Sequence, residues 1–202
     1  PPGLSLEAFF SGRLADPGSF EDALHTEANT VPGEFQTLPL SGFAAEAVAR
    51  IGRAIGLHVR DRTQTGGGLR PFHRAFLLET PPGVERREIF TALCARALAS
   101  GGQALLMAPD LEAIAPFAET LSRSFGAQSL ALWHSRLTPK QRKENWTGIL
   151  SGRVRLVVGS RSAAFLPFRN LALAVLDCEQ ENIYKQEEAE PHFHARDLLL
   201  KR

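Results

Sequence analysis

Five short apolar runs restrict the fold more than anything else in the chain: RAFLLE (74–79), QALLMAP (103–109), SLALWH (129–134), VRLVVGS (154–160) and LALAVLD (171–177). None alternates apolar with polar residues, the pattern of strands buried on both faces. Helical spacing appears between them. Ile89, Phe90, Leu93, Cys94, Ala97 and Leu98 mark one apolar stripe, and Phe117, Ala118, Leu121 and Phe125 another. Ahead of the fourth run, Thr138 and Gln141 have capping-box spacing, Pro139 falls at the first helical position, and Gly152 follows the expected end. Strands that alternate with helices predict a parallel, three-layer α/β sheet, with any functional site at the C-terminal ends of the strands.

Upstream of these runs, TQTGGGLRP (63–71) is polar, carries three consecutive glycines and closes on proline, the composition of a linker. It predicts a unit over 1–63, a linker over 64–72 and the α/β unit over 73–202. In the first unit, Ser41 is an expected N-cap, a helix is expected from Phe43 to Ile55, Gly56 is the expected residue after its end, and LHVRD (57–61) reads as a strand. A helix followed by a basic strand resembles the end of a winged-helix module, which would turn Arg50, Arg53, Arg60 and Arg62 toward DNA. The formal net charge of +1 conceals segregation. Residues 1–49 carry seven acids against one base, 50–74 six bases against one acid, 134–170 eight bases against one acid, and 177–190 six acids against one base. Basic stripes of this kind leave room for a polyanionic partner despite the near-neutral total.

Cys94 and Cys178 are isolated from one another, which argues against a disulfide framework or a zinc site and fits a reducing cytoplasm. No run reaches the roughly twenty apolar residues of a membrane span, so no membrane partner is expected. The first residues, PPGLSLEAFF, contain neither Met nor a basic-then-apolar leader, and a piece of a longer chain is expected.

Five segments fall in a recognisable order: FLLETPPGVERREIF (76–90), LLMAPDLEAIAPFAETL (105–121), LWHSRLTPKQR (132–142), VVGSRSAAFLPFRNLALAVLDCEQ (157–180) and YKQEEAEPHFHARD (184–197). From about Ala75 onward the chain closely resembles the first motor lobe of the bacterial replication-restart helicase family, primosomal protein N′ (PriA). The resemblance implies a superfamily-two architecture of two RecA-like lobes behind a winged helix, acting on branched DNA at stalled forks. It also implies a cysteine-rich zinc element in the second lobe, a region this chain does not include. Zinc is therefore expected only there.

Against that family the nucleotide motifs are degenerate. The family loop is G-x-x-x-x-G-K-T, whose glycines let backbone N–H groups wrap phosphates while Lys reaches the terminal oxygens and the hydroxyl holds Mg²⁺. Here Thr80 stands at the first Gly, Glu85 at the second, Arg86 at the Lys and Arg87 at the Thr, with Gly83 the one glycine left in the loop. Glu85 puts negative charge where phosphate oxygens would lie, a guanidinium does not replace a compact ammonium, and Arg87 cannot ligate Mg²⁺. The second motif, D-E-E-H in the family, reads Asp177, Cys178, Glu179, Gln180. A thiol at Cys178 is a poor general base for water. The family's Gln-bearing, adenine-reading helix is also expected to be missing, TQTGGGLRPFH being too short and glycine-rich to form it. Neither ATP nor Mg²⁺ is expected as a cofactor of this part of the chain.

The segments on the nucleic-acid side keep the family's residue types. Arg161 and Ser162 in GSRSAAF would donate to phosphates, Ser162 as a helix N-cap, with a salt bridge and a plain cap as the structural alternative. Tyr184, Lys185, Phe193 and His194 belong to a segment resembling the family's aromatic-rich loop, where rings would stack on bases or else close the sheet edge. His192 and His194 fall short of the roughly four converging ligands of a structural zinc. The expected function is a DNA-binding replication-restart (primosome) scaffold without ATPase activity, cytoplasmic and nucleoid-associated. Its expected partners are forked DNA, single-strand-binding protein, and the replicative helicase with its loading factors. A working ATP-dependent 3′–5′ helicase and a protein-binding adaptor without DNA affinity are the alternatives.

Overall fold

In the computed structural model, residues 40, 42–64, 74–188 and 190–201 are described, with 56–64 as backbone only. Four strands, β1 (Gln103–Met107), β2 (Leu130–Trp133), β3 (Leu156–Gly159) and β4 (Leu171–Leu176), pair in the order β2-β3-β1-β4, all parallel. Around them lie α1 (Gly42–Gln64), α2 (Arg86–Ala99), α3 (Leu111–Phe125) and α4 (Pro139–Ser151). A two-stranded antiparallel hairpin follows, β5 (Lys185–Gln186) with β6 (Phe193–His194), and then α5 (Ala195–Lys201). The expected parallel α/β architecture is present, and four of the five apolar runs form its strands.

Successive side chains in each strand point to opposite faces, which divides the interior into two cores. Ala104 and Leu106 of β1, Leu130 and Leu132 of β2, and Leu173 and Val175 of β4 face α1, α2 and α3. Leu105, Met107, Ala131, Trp133 and Val157 face the other way, toward Ile149 of α4, Tyr184 and Leu199 of α5. Each fully buried aliphatic side chain contributes about 1.5–3 kcal/mol. At the N-terminal end of the sheet a single amide ties three segments together. Gln103 donates through Nε2 to the carbonyls of Ile149 (3.0 Å) and Val154 (2.8 Å), and its Oε1 accepts from the N–H groups of Arg169 (2.8 Å) and Asn170 (3.0 Å).

Local signals set α4. Thr138 and Gln141 form the reciprocal capping box, Pro139 opens the helix, and Gly152 ends it in the left-handed region at φ 80°. In α2, Ile89, Phe90, Leu93, Cys94, Ala97 and Leu98 are buried as expected, but Thr91, Ala92 and Ala95 are buried too. The reason is α1, which covers the side of α2 away from the sheet through Ala44, Val48 and Ile55. The two helices cross closely at Gly52, where a Cβ would stand 2.4 Å from Arg96 Cδ.

Three expectations are corrected. The helix beginning near residue 43 does not stop at Gly56 before a strand over 57–61; α1 runs unbroken to Gln64. A glycine inside a helix costs only about 1 kcal/mol against alanine, and the packing of the preceding turns on α2 outweighs that. A helix therefore does stand before the glycine-rich stretch, and its Ala44, Val48 and Ile55 pack into the first core. Residues 1–39 of the expected winged-helix unit lie outside the described residues. Finally, RAFLLE is not a strand. Residues 74–80 have no regular structure, and Phe76 and Leu77 are 40% and 80% exposed. Among the described residues β4 pairs only with β1, and this segment does not add to its outer edge.

Candidate functional site

The loop between the irregular segment and α2 folds as a tight turn. The N–H of Val84 donates to the carbonyl of Pro81 at 3.2 Å, with Pro82 and Gly83 between them. Gly83 has φ 82°, and a proline followed by a glycine of positive φ is the type II signature. The turn stands out toward solvent at Pro81, Pro82 and Gly83, while Thr80 and Val84 are half-buried. Glu85 takes the N-cap position of α2 without a side-chain capping bond, and its carboxylate meets Arg87 at 3.4 Å instead. Both of those side chains point to water, being 63% and 48% exposed.

Arg86, its side chain 45% exposed, reaches toward the end of β4. Its Nη1 lies 2.9 Å from Oδ1 of Asp177, just past the end of β4, and donates to the Cys178 sulfur at 3.3 Å. The Asp177 side chain is only 6% exposed. Its Oδ1 receives no aligned hydrogen bond among the described residues, so the contact with Arg86 is Coulombic. Burial raises the Asp177 carboxyl above the ordinary carboxylate range and outweighs the pull of Arg86 and the bonds from Cys178. The Arg86 guanidinium is raised, first by its bond to Cys178 and then by the charge of Asp177. Cys178 adopts φ 52°, the sole non-glycine residue of positive φ among the described residues, which places its sulfur beside both charges. Of the other residues in the second motif, Glu179 bonds Arg196 at 2.5 Å and Gln180 is exposed. The other cysteine, Cys94, is a buried core thiol pushed up to about 12.

A second cluster forms beyond β3. Arg161 opens a 3-10 turn (Arg161–Phe165) and donates through Nη1 to the backbone carbonyls of Ile183 (3.3 Å) and Lys185. Its guanidinium carbon lies 5.8 Å from the centre of the Phe193 ring, which meets Phe165 edge-on at 4.8 Å. Phe165 and Ile183 are about half exposed and Lys185 is exposed. His194 is half-buried, its Nδ1 accepting from the N–H of Arg196 at 3.1 Å.

One residue of the expected DNA set, Tyr184, and the capping role expected of Ser162 are corrected here. Tyr184 is fully buried, and its hydroxyl faces the carbonyls of Asp177 (2.7 Å) and Met107 (3.2 Å). Its ring fills the second core and cannot stack on a base. Ser162 is not an N-cap; that position belongs to Ser160, and the Ser162 hydroxyl accepts from Trp133 Nε1 at 3.2 Å. Arg50 and Arg53 stand exposed on α1, over the first core, whereas the Arg161 cluster packs with the second, so the two basic sets lie on opposite faces of the sheet. The side chains of Arg60 and Arg62 lie outside the described residues. Among the described residues, no three His, Cys, Asp or Glu side chains converge as a metal group, and no helix is long and apolar enough to cross a membrane.

The Arg86–Asp177 pair was not legible as a pair, because ninety-one positions separate a helix start from a strand end. The signal that existed was indirect: a basic residue opening one helix and an acid closing a strand of the same parallel sheet, at the end where such elements meet.

An all-parallel sheet with helices on both sides, and charged groups gathered where its strands end, fits the architecture of a RecA-like lobe. No family model matches the chain. It is 37% identical over 130 residues to the replication restart protein PriA of Bacillus subtilis, which covers 64% of this chain and 16% of the relative. It is 36% identical over 146 residues to that of Helicobacter pylori, covering 71% and 23%, and 30% identical over 139 residues to that of Synechocystis, covering 69% and 16%. The chain belongs to the replication restart protein PriA family. It spans between 16% and 23% of the length of these relatives.

Proposed function

We propose that this chain is part of a replication-restart protein that binds forked DNA and serves as a scaffold for loading the replicative helicase, without turning over ATP. The observation that carries the reading is the contact between Arg86 and Asp177. The side chain at the phosphate-binding lysine position lies on the acid that would hold a metal ion, and the two cancel each other. The neighbouring turn is closed by its own Pro81–Val84 bond and followed by Glu85, so a triphosphate would meet a carboxylate where it needs backbone N–H groups. Cys178 supplies a thiol where a motor of this class positions a water with a carboxylate.

On this reading DNA is held by charge and aromatic surface at the Arg161 cluster, with Arg50 and Arg53 adding phosphate contacts from α1. Single-strand-binding protein and the replicative helicase with its loading factors are the partners this role requires. Titration calorimetry of the full-length protein with MgATP at millimolar concentration tests the loss of the nucleotide site, beside steady-state ATPase with forked DNA. No heat of binding and no turnover are expected. The combined change of Glu85→Gly, Arg86→Lys and Arg87→Thr should not restore turnover while Cys178 remains. Saturable ATP binding by the wild type would replace this reading with that of an ATP-dependent helicase, and absence of fork binding would replace it with a protein adaptor.

A further inference from the structure

The outward face of α4 combines charge with an exposed aromatic ring, and nothing in the preceding reading uses it. Trp146 is 43% exposed and Leu150, one turn later, 53%. Lys143 is exposed one turn before, and the Lys140 side chain is 86% exposed. Positions 140, 143, 146 and 150 recur at helical spacing, so these side chains share a stripe. From 134 to 170 the one acid is Glu144, itself within 4.0 Å of Lys140.

The indole does not swing freely. It lies 6.3 Å from the Trp133 ring at 47°, and Trp133 carries the Arg142 guanidinium 5.9 Å from its centre. Arg142 is in turn anchored on the carbonyls of Ser135 (2.9 Å) and Leu137 (3.3 Å). The capping box holds the first turn of the helix in place. A fixed aromatic ring, flanked by cations on a rigid helix, offers stacking at little loss of side-chain entropy.

We propose that this face of α4 binds single-stranded nucleic acid, with Trp146 stacking on a base and Lys140 and Lys143 meeting phosphates. The inference rests on the DNA-binding reading and adds to it a single-strand contact on the α4 side of the sheet. An acidic peptide would satisfy the same lysines, but it would also need a concave apolar pocket for its side chains. The described surface offers instead a ring tilted against another and one leucine beside it.

The test uses the full-length protein and two probes, a fluorescently labelled twenty-nucleotide oligothymidylate and a forked duplex with fully paired arms, read by anisotropy across a salt series. Trp146→Ala should weaken oligothymidylate binding about fivefold or more, while Trp146→Phe retains most of it. Lys143→Ala should flatten the slope of log affinity against log salt by about 0.7. Both positions are exposed, so circular dichroism should match the wild type. Wild-type affinity and slope in the Trp146→Ala protein, with the forked duplex still bound, would overturn this inference and leave the DNA-binding reading standing. Failure to bind either probe would remove both. Displacement of neither probe by a glutamate- and phenylalanine-containing peptide is expected; a peptide that binds the wild type but not the Trp146→Ala protein, with no oligothymidylate bound, would assign the face to a protein partner instead.

Discussion

Arg86 and Arg161 stand at the same end of the sheet, and their surroundings differ in kind. Arg86 lies against a buried carboxylate, so its positive charge already has a partner in the protein although its side chain is 45% exposed. Arg161 is held by two neutral backbone carbonyls and the face of a phenyl ring, which fix its direction and leave its charge whole. A guanidinium held by dipoles still attracts a phosphate; one held by an acid does so only by breaking that pair. Positive residues at strand ends are thus of two sorts, and only the partner tells them apart.

Tyr184 gives the largest expected effect, because it touches both sides of the comparison. Its hydroxyl meets the Asp177 carbonyl, and the next residue, Lys185, supplies a carbonyl to Arg161. Tyr184→Ala should destabilise the protein by about 3–5 kcal/mol in urea unfolding and weaken fork binding where the protein still folds. Tyr184→Phe should lose only about 1 kcal/mol. Equal losses in the two variants would mean that the hydroxyl, not the buried ring, carries the effect.

A third strand end supplies a control in which basic groups gather without an acid. His134 follows β2, and burial, reinforced by Arg136 and Arg142, lowers its imidazole to about 4. A lowered histidine favours folding while neutral. That stability is present above its ordinary value near 6.5 and is lost as pH falls from there toward 4. Because the site is partly screened, the loss should be about 2 kcal/mol rather than the full value of the shift. Thermal unfolding at pH 7 and pH 4 measures it, and His134→Gln should flatten the dependence. An equal pH dependence in the variant would assign it to other groups.

Replacing each arginine sharpens the contrast directly. Arg161→Ala should weaken binding to a forked duplex about five- to tenfold and flatten the salt slope by about 0.9, whereas Arg86→Ala should leave both unchanged. Equal losses would show that the Arg86 charge reaches DNA after all. The smallest effect belongs to Asp177→Asn. The raised carboxyl makes ionisation of Asp177 oppose folding, so that contribution to stability is present in acid and declines as pH rises through and above the carboxylate range. The variant should therefore equal the wild type in acid and exceed it at neutral pH by up to about 1 kcal/mol, read as a small rise in Tm. A variant less stable at neutral pH would mean that the pair with Arg86 outweighs burial.

What the sequence made legible was decided within a few residues. Thr138, Pro139, Gln141 and Gly152 act inside one or two turns, and all four stand as expected. The apolar runs of β1 to β3 likewise declare burial on both faces, whereas β4, at the sheet edge, buries only Leu173 and Val175 and leaves Ala174 exposed. The errors came where a distant partner decides. RAFLLE has strand composition, but a strand exists only beside another. Gly56 is a common helix terminator, yet α1 continues because its earlier turns are packed on α2. Tyr184 has the residue type of a stacking platform, and only the hairpin's placement shows its ring to be interior. Arg86 was legible as a departure from a phosphate loop; that it would find Asp177 was not.

Gln103 has a consequence for how such a protein can change over time. With two donors and two acceptances engaged, its amide leaves no bond that a ligand at the opposite end of the sheet would need to supply. The lobe is closed at the bottom by its own backbone, while the charged contacts of Arg86, Asp177 and Arg161 gather at the top. A fold anchored at one end is indifferent to the occupant of the other. Substitutions in the upper loops can then accumulate without unfolding the sheet, and an old pocket can be overwritten while the platform that carried it persists.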